Sequence, residues 1–225
     1  MQFIIENEPV FTTLKILLKR GESFRAEAGA MLAMSPTITL EAKTTGKGLL
    51  GTLKAAVGGE SIFGSLFTAE NGDGELVLAP STMGDILHLK LNNQTILAQG
   101  GAYLAGDIDL NLSTKGSLRS MISGEGLFLQ EISGTGNLFL SSYGKIHEKV
   151  LSNGETYIVD TGHIVAFESS VHYSIRKAAK GIFSSIASGE GLVCEYYGPG
   201  RLWYQTRNLP AFANLLYKFM PIKGN

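Results

Sequence analysis

Three glutamates at equal intervals are the first residues in this sequence whose type and spacing could do chemistry. Glu60, Glu125 and Glu190 each follow a glycine in a recurring phrase, and successive members are 65 residues apart. Three carboxylates gathered around one axis could bind a cation or a basic partner. Alternatively, each carboxylate could accept hydrogen bonds from backbone N–H groups at a turn. Repetition together with the fold unit favours this structural role.

A second candidate is the sequence Asp160-Thr161-Gly162 between two apolar segments, which looks locally like the catalytic loop of an aspartic protease. That chemistry needs two carboxylates that share one proton across neighbouring loops. The corresponding positions in the rest of the chain hold Glu27 and Gln99, and the glutamine cannot serve. Two copies of Asp160 could still meet in a symmetric dimer. The sequence therefore favours a turn over a hydrolase, and unchanged activity in Asp160→Asn would exclude the hydrolase.

Other residue types that bind metals or cofactors occur without the context that they need. The motif Gly-x-Gly-x-x-Gly at 46–51 is not followed by alternating strands and helices, so it does not indicate dinucleotide binding. Cys194 lies in a predicted strand, where a small buried side chain is expected. Four histidines lack the pair spacing of metal ligands: His88, His147, His163 and His172. We predict no metal, no cofactor and no catalytic residue.

The elements that position these residues repeat three times with the same landmarks. A turn, a glycine-centred apolar segment, a Lys-Gly pair, the glutamate phrase and a Gly-x-Gly motif occur in one fixed order. Short runs rich in β-branched and aromatic residues separate them, which predicts strands. We predict an all-β single domain over 1–225, built of repeats at 1–83, 84–143 and 144–208, with a C-terminal helix at 209–221.

Local signals also predict how each repeat is folded. Tight hairpin turns are expected at 19–22, 92–93 and 152–154. Strand reversals are expected at the Gly-x-Gly motifs 72–74, 134–136 and 198–200. One or two helical turns are expected at 49–57, 118–122 and 182–187. Units of this size carry small cores and exposed sheet edges, so we expect them to cover one another around a pseudo-threefold axis.

The last predicted element is an amphipathic helix. Its apolar residues have the spacing i, i+3, i+4, i+7: Phe212, Leu215, Leu216 and Phe219. Asn208 is the expected N-cap, Pro210 fits the first turn and Pro221 ends the helix. The stripe could cap the chain's own sheet, form a subunit interface or lie on a membrane surface, and we favour the first two.

The composition narrows the class of protein. A net charge of −1 over 225 residues offers no basic stripe, which disfavours nucleic acid as a partner. The N-terminal residues lack the pattern of a signal peptide, and no window reaches the ~20 apolar residues that span a bilayer. The single cysteine fits a reducing compartment. We expect a cytoplasmic protein of prokaryotic type that could meet a membrane peripherally.

The chain resembles the altered-inheritance-of-mitochondria protein 24 family. The resemblance is clearest at 134–140, in the segments around 154–168 and in the sequence Gln-Thr-Arg-Asn at 205–208. The resemblance covers nearly the whole chain. It implies three β-sandwich units similar to the subunit of the tryptophan RNA-binding attenuation protein (TRAP). The family offers no established enzymatic activity and no agreed catalytic residues to carry over. Its mitochondrial members are associated with inner-membrane organisation.

Three functions follow as hypotheses. The leading one is a non-enzymatic scaffold or interaction protein that self-associates and binds an unidentified protein partner or a membrane periphery. The second is a small-ligand or RNA-binding protein, by analogy of fold with the attenuation protein alone. The third is the hydrolase that would use Asp160.

Overall fold

The computed structural model describes residues 1–43, 64–115, 128–178 and 192–220. These residues form seventeen β-strands and one α-helix, which confirms the prediction of a predominantly β protein with a short C-terminal helix. The helix, α1, is Leu209–Tyr217. The strands are β1 Gln2–Glu6, β2 Thr13–Leu18, β3 Ser23–Glu27, β4 Met31–Met34, β5 Thr39–Lys43, β6 Gly64–Thr68, β7 Gly74–Leu78, β8 Ile86–Gln99, β9 Tyr103–Gly106, β10 Asn111–Lys115, β11 Leu129–Ser141, β12 Ile146–Leu151, β13 Thr156–Asp160, β14 Ile164–Glu168, β15 His172–Lys177, β16 Leu192–Tyr197 and β17 Gly200–Gln205.

The strands of the described residues belong to three sheets. The first sheet has the order β1-β2-β7-β4, and the third has the order β13-β16-β15. The largest sheet has the order β12-β17-β14-β8-β11-β9-β3-β6-β5, with β10 also paired to β11. Every strand pairing is antiparallel. The three stretches predicted as helical turns, 49–57, 118–122 and 182–187, lie outside the described residues.

The predicted hairpin turns are wrong. β2 pairs with β7 while β3 pairs with β6, so the turn at 19–22 carries the chain from one sheet to another. β12 and β13 likewise lie in different sheets. In the middle of the chain, β8 continues through Asn92 and Asn93 as one strand. Asn93 has a φ of 51°, and its left-handed backbone bends the strand instead of reversing it.

The predicted strand reversals at the Gly-x-Gly motifs are wrong for the same reason. β6 and β7 are not paired with each other, and neither are β16 and β17. β11 passes through Gly134 and Gly136 as one strand with a register shift opposite the bend in β8. Both glycines have positive φ values, 127° and 151°, which side chains other than glycine rarely adopt. Turn signals in the sequence therefore mark changes of direction. In the first and last parts of the chain they carry it from one sheet to another, whereas the pair β8 and β11 bends within one sheet.

One pairing scheme recurs in the three segments 1–83, 84–143 and 144–208, which we call the first, middle and last segments. In the first segment, β7 lies between β2 and β4, and β6 lies between β3 and β5. In the last segment, β17 lies between β12 and β14, and β16 lies between β13 and β15. In the middle segment, the two halves of β11 pair with the two halves of β8, with β9 and with β10 in the same way.

Three apolar clusters form the core, and each one draws side chains from two segments. The first cluster combines Phe24 and Phe67 with Leu104 of the middle segment. The second cluster combines residues of β8 and β11 with Val165 and Trp203 of the last segment. The third cluster belongs to the last segment but includes Leu129 of β11. Adjacent segments therefore bury apolar surface against each other, which a unit of this size needs for stability.

Candidate functional site

The segment that leads into α1 is held firmly against the sheet. The side chain of Gln205 accepts a hydrogen bond from the backbone N–H of Tyr143 at 2.8 Å, and the hydroxyl of Thr206 accepts one from Lys145 N–H at 3.0 Å. The backbone N–H of Arg207 donates to the carbonyl oxygen of Tyr143 at 3.2 Å. These bonds fix the position from which the helix leaves the body of the protein.

The start of α1 agrees with the sequence prediction. Asn208 has an extended backbone, and its side-chain oxygen accepts a hydrogen bond from Ala211 N–H at 3.2 Å, which is N-cap geometry. Pro210 lies in the first turn, where its missing N–H costs nothing. The helix ends at Tyr217, four residues earlier than predicted, and Pro221 lies outside the described residues.

The apolar stripe of α1 is almost entirely exposed. No side chain of the helix is buried, and the ring of Phe212 lies 5.8 Å from that of Tyr143. The predicted stripe residues all remain accessible to solvent: Phe212, Leu215, Leu216 and Phe219. Phe219 follows the helix and is 79% exposed. Since a helix that covered a sheet would bury one stripe, α1 gives its own chain little cover and leaves an apolar surface free.

Strand β4 is a second apolar surface that is uncovered, and the sequence did not single it out. Met31, Leu32, Ala33 and Met34 are all exposed, although the run carries no charge. One edge of the strand pairs with β7, and among the described strands β4 ends its sheet. The sequence interpretation made no prediction about the burial of this run.

The three repeated glutamates cannot be placed. Glu60, Glu125 and Glu190 lie outside the described residues. A role for them in binding a cation or a basic partner stays a prediction.

Asp160 has a local role in a turn. Its Oδ1 atom accepts a hydrogen bond from the backbone N–H of Gly162 at 2.8 Å. The hydroxyl of Thr161 donates to the carbonyl oxygen of Leu192 at 3.0 Å. Both contacts stabilise the turn between β13 and β14, as the repeated position of this sequence suggested.

His88, His147 and Cys194 are engaged in packing, whereas His163 hydrogen-bonds the carbonyl oxygen of Gln205 at 2.8 Å and His172 is exposed. The ring of His88 lies 4.5 Å from that of Phe3 and 4.9 Å from that of Phe139. His147 stacks on Tyr204 with ring centroids 5.4 Å apart. Burial raises the pKa of the Cys194 thiol to about 11, which leaves it protonated and unreactive near neutral pH. Among the described residues, no group of three or more His, Cys, Asp or Glu side chains is arranged to hold a metal ion.

A polar cluster lies where the first and middle segments meet. The guanidinium of Arg25 donates to the carbonyl oxygens of Ile108 and Leu110, at 2.8 and 3.2 Å. The carboxylate of Asp107 accepts two hydrogen bonds from Asn137, at 2.8 and 3.0 Å. Since Arg25 and Asp107 are bonded to backbone groups or to a neighbouring amide, the cluster fixes the position of β3 relative to the turn after β9.

The sequence interpretation did not identify Glu27 as a residue whose pKa is shifted. Burial raises the pKa of its carboxyl from about 4.5 to about 7. It is also near the phenol of Tyr103, whose pKa is raised mainly by burial and partly by the charge of Glu27. The sequence placed Glu27 at the position that corresponds to Asp160, which was the only signal of its setting. Because burial is the cause of this shift, the ionised form of Glu27 is disfavoured at its site.

A family model described as mitochondrial biogenesis AIM24 matches residues 3–207, which is nearly the whole chain. The chain belongs to this family. AIM24 relatives include an uncharacterized protein of Streptococcus pyogenes serotype M6, which is 33% identical over 233 residues, with 100% of this chain and 93% of the relative covered. The matched range of the family model ends before α1 begins.

A solved structure supports the same fold. The X-ray crystal structure of a Streptococcus pyogenes protein is 32% identical to this chain and superposes with a TM-score of 0.81. The alignment covers 97% of this chain and 99% of the other. In the part of the chain that the structure describes, no helix is long and apolar enough to cross a membrane.

Proposed function

We propose that this AIM24-family protein is a non-enzymatic scaffold that self-associates and presents α1 as a binding site for another protein. The observation that carries the proposal is the exposed apolar stripe of a helix whose first turn is fixed to the body. An apolar surface that is rigidly displayed costs solubility unless a partner covers it. The proposal places the protein in the cytoplasm, where a lone buried cysteine stays reduced.

The scaffold itself would consist of three TRAP-like β-sandwich units in tandem, at 1–83, 84–143 and 144–208. A closed pseudo-threefold ring would require β4 to pair with β13, and these two described strands do not pair within one copy. The recurrence of one pairing scheme in the three segments supports this division. The sharing of core side chains between neighbouring segments supports their mutual packing. Such an array is a rigid frame on which an exposed helix keeps a defined orientation.

A protein partner fits α1 better than a lipid surface does. Helices that lie on membranes carry lysine or arginine on their polar face. The residues of α1 include no charged side chain, and Lys218 directly follows them. A groove lined by apolar side chains could accept Phe212, Leu215 and Leu216 as anchors, as in helix-in-groove recognition.

Neither alternative function gains a specific observation. The net charge of −1 opposes binding to RNA phosphates. The hydrogen bond from Gly162 N–H to Asp160 gives this aspartate a structural role in its turn. We therefore assign no reaction to the chain.

Light scattering after size-exclusion chromatography tests the role of α1. The intact chain is compared with a chain that ends at Asn208, and with Leu215→Asp and Asn214→Asp. These two variants add the same charge to adjacent helical positions, but only Leu215 belongs to the apolar stripe. We expect the truncation and Leu215→Asp to lower the mass of any assembly or to abolish capture of a partner, and Asn214→Asp to do neither.

Two results would contradict the proposal. One is a set of four chains that behave identically in mass and in partner capture. The other is binding of the intact chain to anionic phosphatidylserine vesicles that Leu215→Asp abolishes, because α1 would then serve a membrane.

A further inference from the structure

β4 differs in burial from the two strands that occupy the same place in the pairing scheme. β4 lies beside β7, β9 beside β11 and β14 beside β17, and each pairing has a register shift. Leu32 in β4 is 62% exposed, whereas Leu104 in β9 is 0% exposed and Val165 in β14 is 1% exposed. All three are the second residue of their strand. The sequences are similarly apolar, so a missing neighbour explains the difference.

The missing neighbour can be identified from the other two strands. β9 pairs on its second side with β3 of the first segment, and β14 pairs on its second side with β8 of the middle segment. We call each of these two pairings a junction. In both junctions the added strand comes from the preceding segment. β4 belongs to the first segment, which has no predecessor within the chain.

The strand that could complete a third junction is β13. It occupies in the last segment the place that β3 and the second half of β8 occupy in theirs, since all three pair with the strand that precedes the glycine bend. β3 and β8 use their other side in a junction, whereas β13 pairs with β16 alone among the described strands. Ile158 near its centre is 47% exposed.

The two junctions have the same register, which predicts that of a third. Ala26 lies opposite Ala105 in one junction, and Ala98 lies opposite Ala166 in the other. Ala105 lies 79 residues after Ala26, and Ala166 lies 68 residues after Ala98. Ala26 and Ala98 nevertheless occupy the same place in their segments, and so do Ala105 and Ala166.

The corresponding pair follows by counting within each segment. Ala26, Ala98 and Val159 each stand seven residues before the alanine of the next strand, which is Ala33, Ala105 or Ala166. A third junction would therefore place Ala33 opposite Val159, and Met34 opposite Ile158. The junction pairs Arg25 with Gly106 and Leu97 with Phe167 lie at the same offset and support this register.

We propose that β4 of one copy of this chain pairs in antiparallel fashion with β13 of a second copy, with Ala33 opposite Val159. This inference rests on the proposed self-association and specifies its surface. The pairing would bury Leu32 and Met34 as their counterparts are buried, and it would satisfy the free backbone groups of both edges. Because the two edges are different surfaces, the contact is head-to-tail, and it builds a ring or a filament.

Cross-linking between two single-cysteine variants tests the pairing. A tagged Ala33→Cys chain and an untagged Val159→Cys chain are mixed and oxidised, and the mass is read on a non-reducing gel. We expect a mixed dimer, because residues directly opposite in antiparallel strands have Cβ atoms close enough for a disulfide. The unsubstituted chain, treated in parallel, controls for the buried Cys194. Met31→Cys mixed with Val159→Cys is the register control, since Met31 lies two positions from Ala33.

A second measurement does not depend on disulfide geometry. Leu32→Asp adds a charge to an exposed residue of β4, so the monomer should fold with unchanged circular dichroism. We expect its self-association, followed by sedimentation equilibrium, to weaken about tenfold or more, because the charge would be buried at the contact. Ile158→Asp should weaken it similarly.

Four results would overturn the pairing. They are a wild-type chain that stays monomeric with no mixed cross-link, equal cross-linking in the register control, and association that Leu32→Asp leaves unchanged. The fourth is a doubly substituted Ala33→Cys, Val159→Cys chain that forms its disulfide at the mass of a monomer, which would mean closure within one chain. In the third case, if truncation at Asn208 abolishes the association, the scaffold role of α1 survives although the β4 contact does not.

Discussion

The contrast between Leu104 and Leu32 makes a quantitative prediction about stability. The two leucines hold the same place in β9 and β4, but Leu104 is fully buried in the first core cluster and Leu32 is mostly exposed. Replacing a buried leucine by alanine removes apolar contacts and leaves a cavity, at a cost of about 2.7–5 kcal/mol. We expect Leu104→Ala to lower the free energy of unfolding by about 3–4 kcal/mol, which is a large part of the ~5–15 kcal/mol typical of domains. Leu32→Ala should change it by less than about 0.5 kcal/mol.

Urea unfolding of dilute protein measures both variants with one probe. Trp203 is the single tryptophan of the chain and is fully buried, so its emission should shift when the core opens. Dilution keeps contacts between copies out of the measurement. Equal slopes with denaturant allow the midpoints to be compared directly. If Leu32→Ala lowered the midpoint as much as Leu104→Ala in dilute protein, β4 would be covered within the monomer, and the inference of an open edge would be refuted.

Three further predictions concern single residues. Because the pKa of Glu27 is raised to about 7 in the folded state, the free energy of unfolding should fall as pH rises from about 4.5 to above 7. Glu27→Gln should flatten this dependence by about 1–2 kcal/mol between pH 5 and pH 8, measured by urea titration. A wild-type profile without that fall would contradict the burial of Glu27. Asn208→Ala should cost about 1 kcal/mol of helix stability, seen as faster amide exchange in α1, with Asn208→Ser close to wild type. Gly84→Ala should destabilise the fold by about 3 kcal/mol in thermal unfolding, because its Cβ would overlap the backbone carbonyl of Ser142; wild-type stability would show that this close approach is relaxed.

The sequence predicts the class of fold and the end of the chain well because both depend on local signals. Alternating apolar residues specify strands wherever they pair. The N-cap and first-turn proline of α1 act within one turn of helix, so Asn208 and Pro210 are sufficient evidence for its start.

The pairing of strands could not be predicted in the same way. A turn signal such as Asn92-Asn93 shows that the backbone changes direction, but it does not say whether the next strand returns beside the last one or enters another sheet. That choice depends on the partner strand, β11, which bends at Gly134 and Gly136 about forty residues away. The hairpin prediction failed because it used the turn residues alone and not the position of the partner strand.

The two candidate surfaces, the stripe of α1 and strand β4, also differ in how far local signals predict them. The apolar stripe of α1 was visible in its spacing, but its exposure depends on whether any sheet lies under it. β4 was missed because Met31-Leu32-Ala33-Met34 has the same apolar character as the buried strands β9 and β14. Burial at this position is supplied by the preceding segment, so composition alone does not reveal it.

A tandem array joined by such junctions ends in two unmatched halves unless it closes on itself. Each of the two junctions in this chain uses one strand of the β3 type and one of the β4 type, so three segments leave one of each type over. Natural proteins usually protect free edges with charges, proline or a covering element. β4 has none of these within its four residues, and β13 exposes Ile158 at its centre. Since each copy carries both halves in the register that the other junctions use, another copy of the chain is the partner that is present wherever the edge is. This argues that the association of copies through β4 and β13 is part of the design of the array, on which α1 would then be displayed at regular intervals.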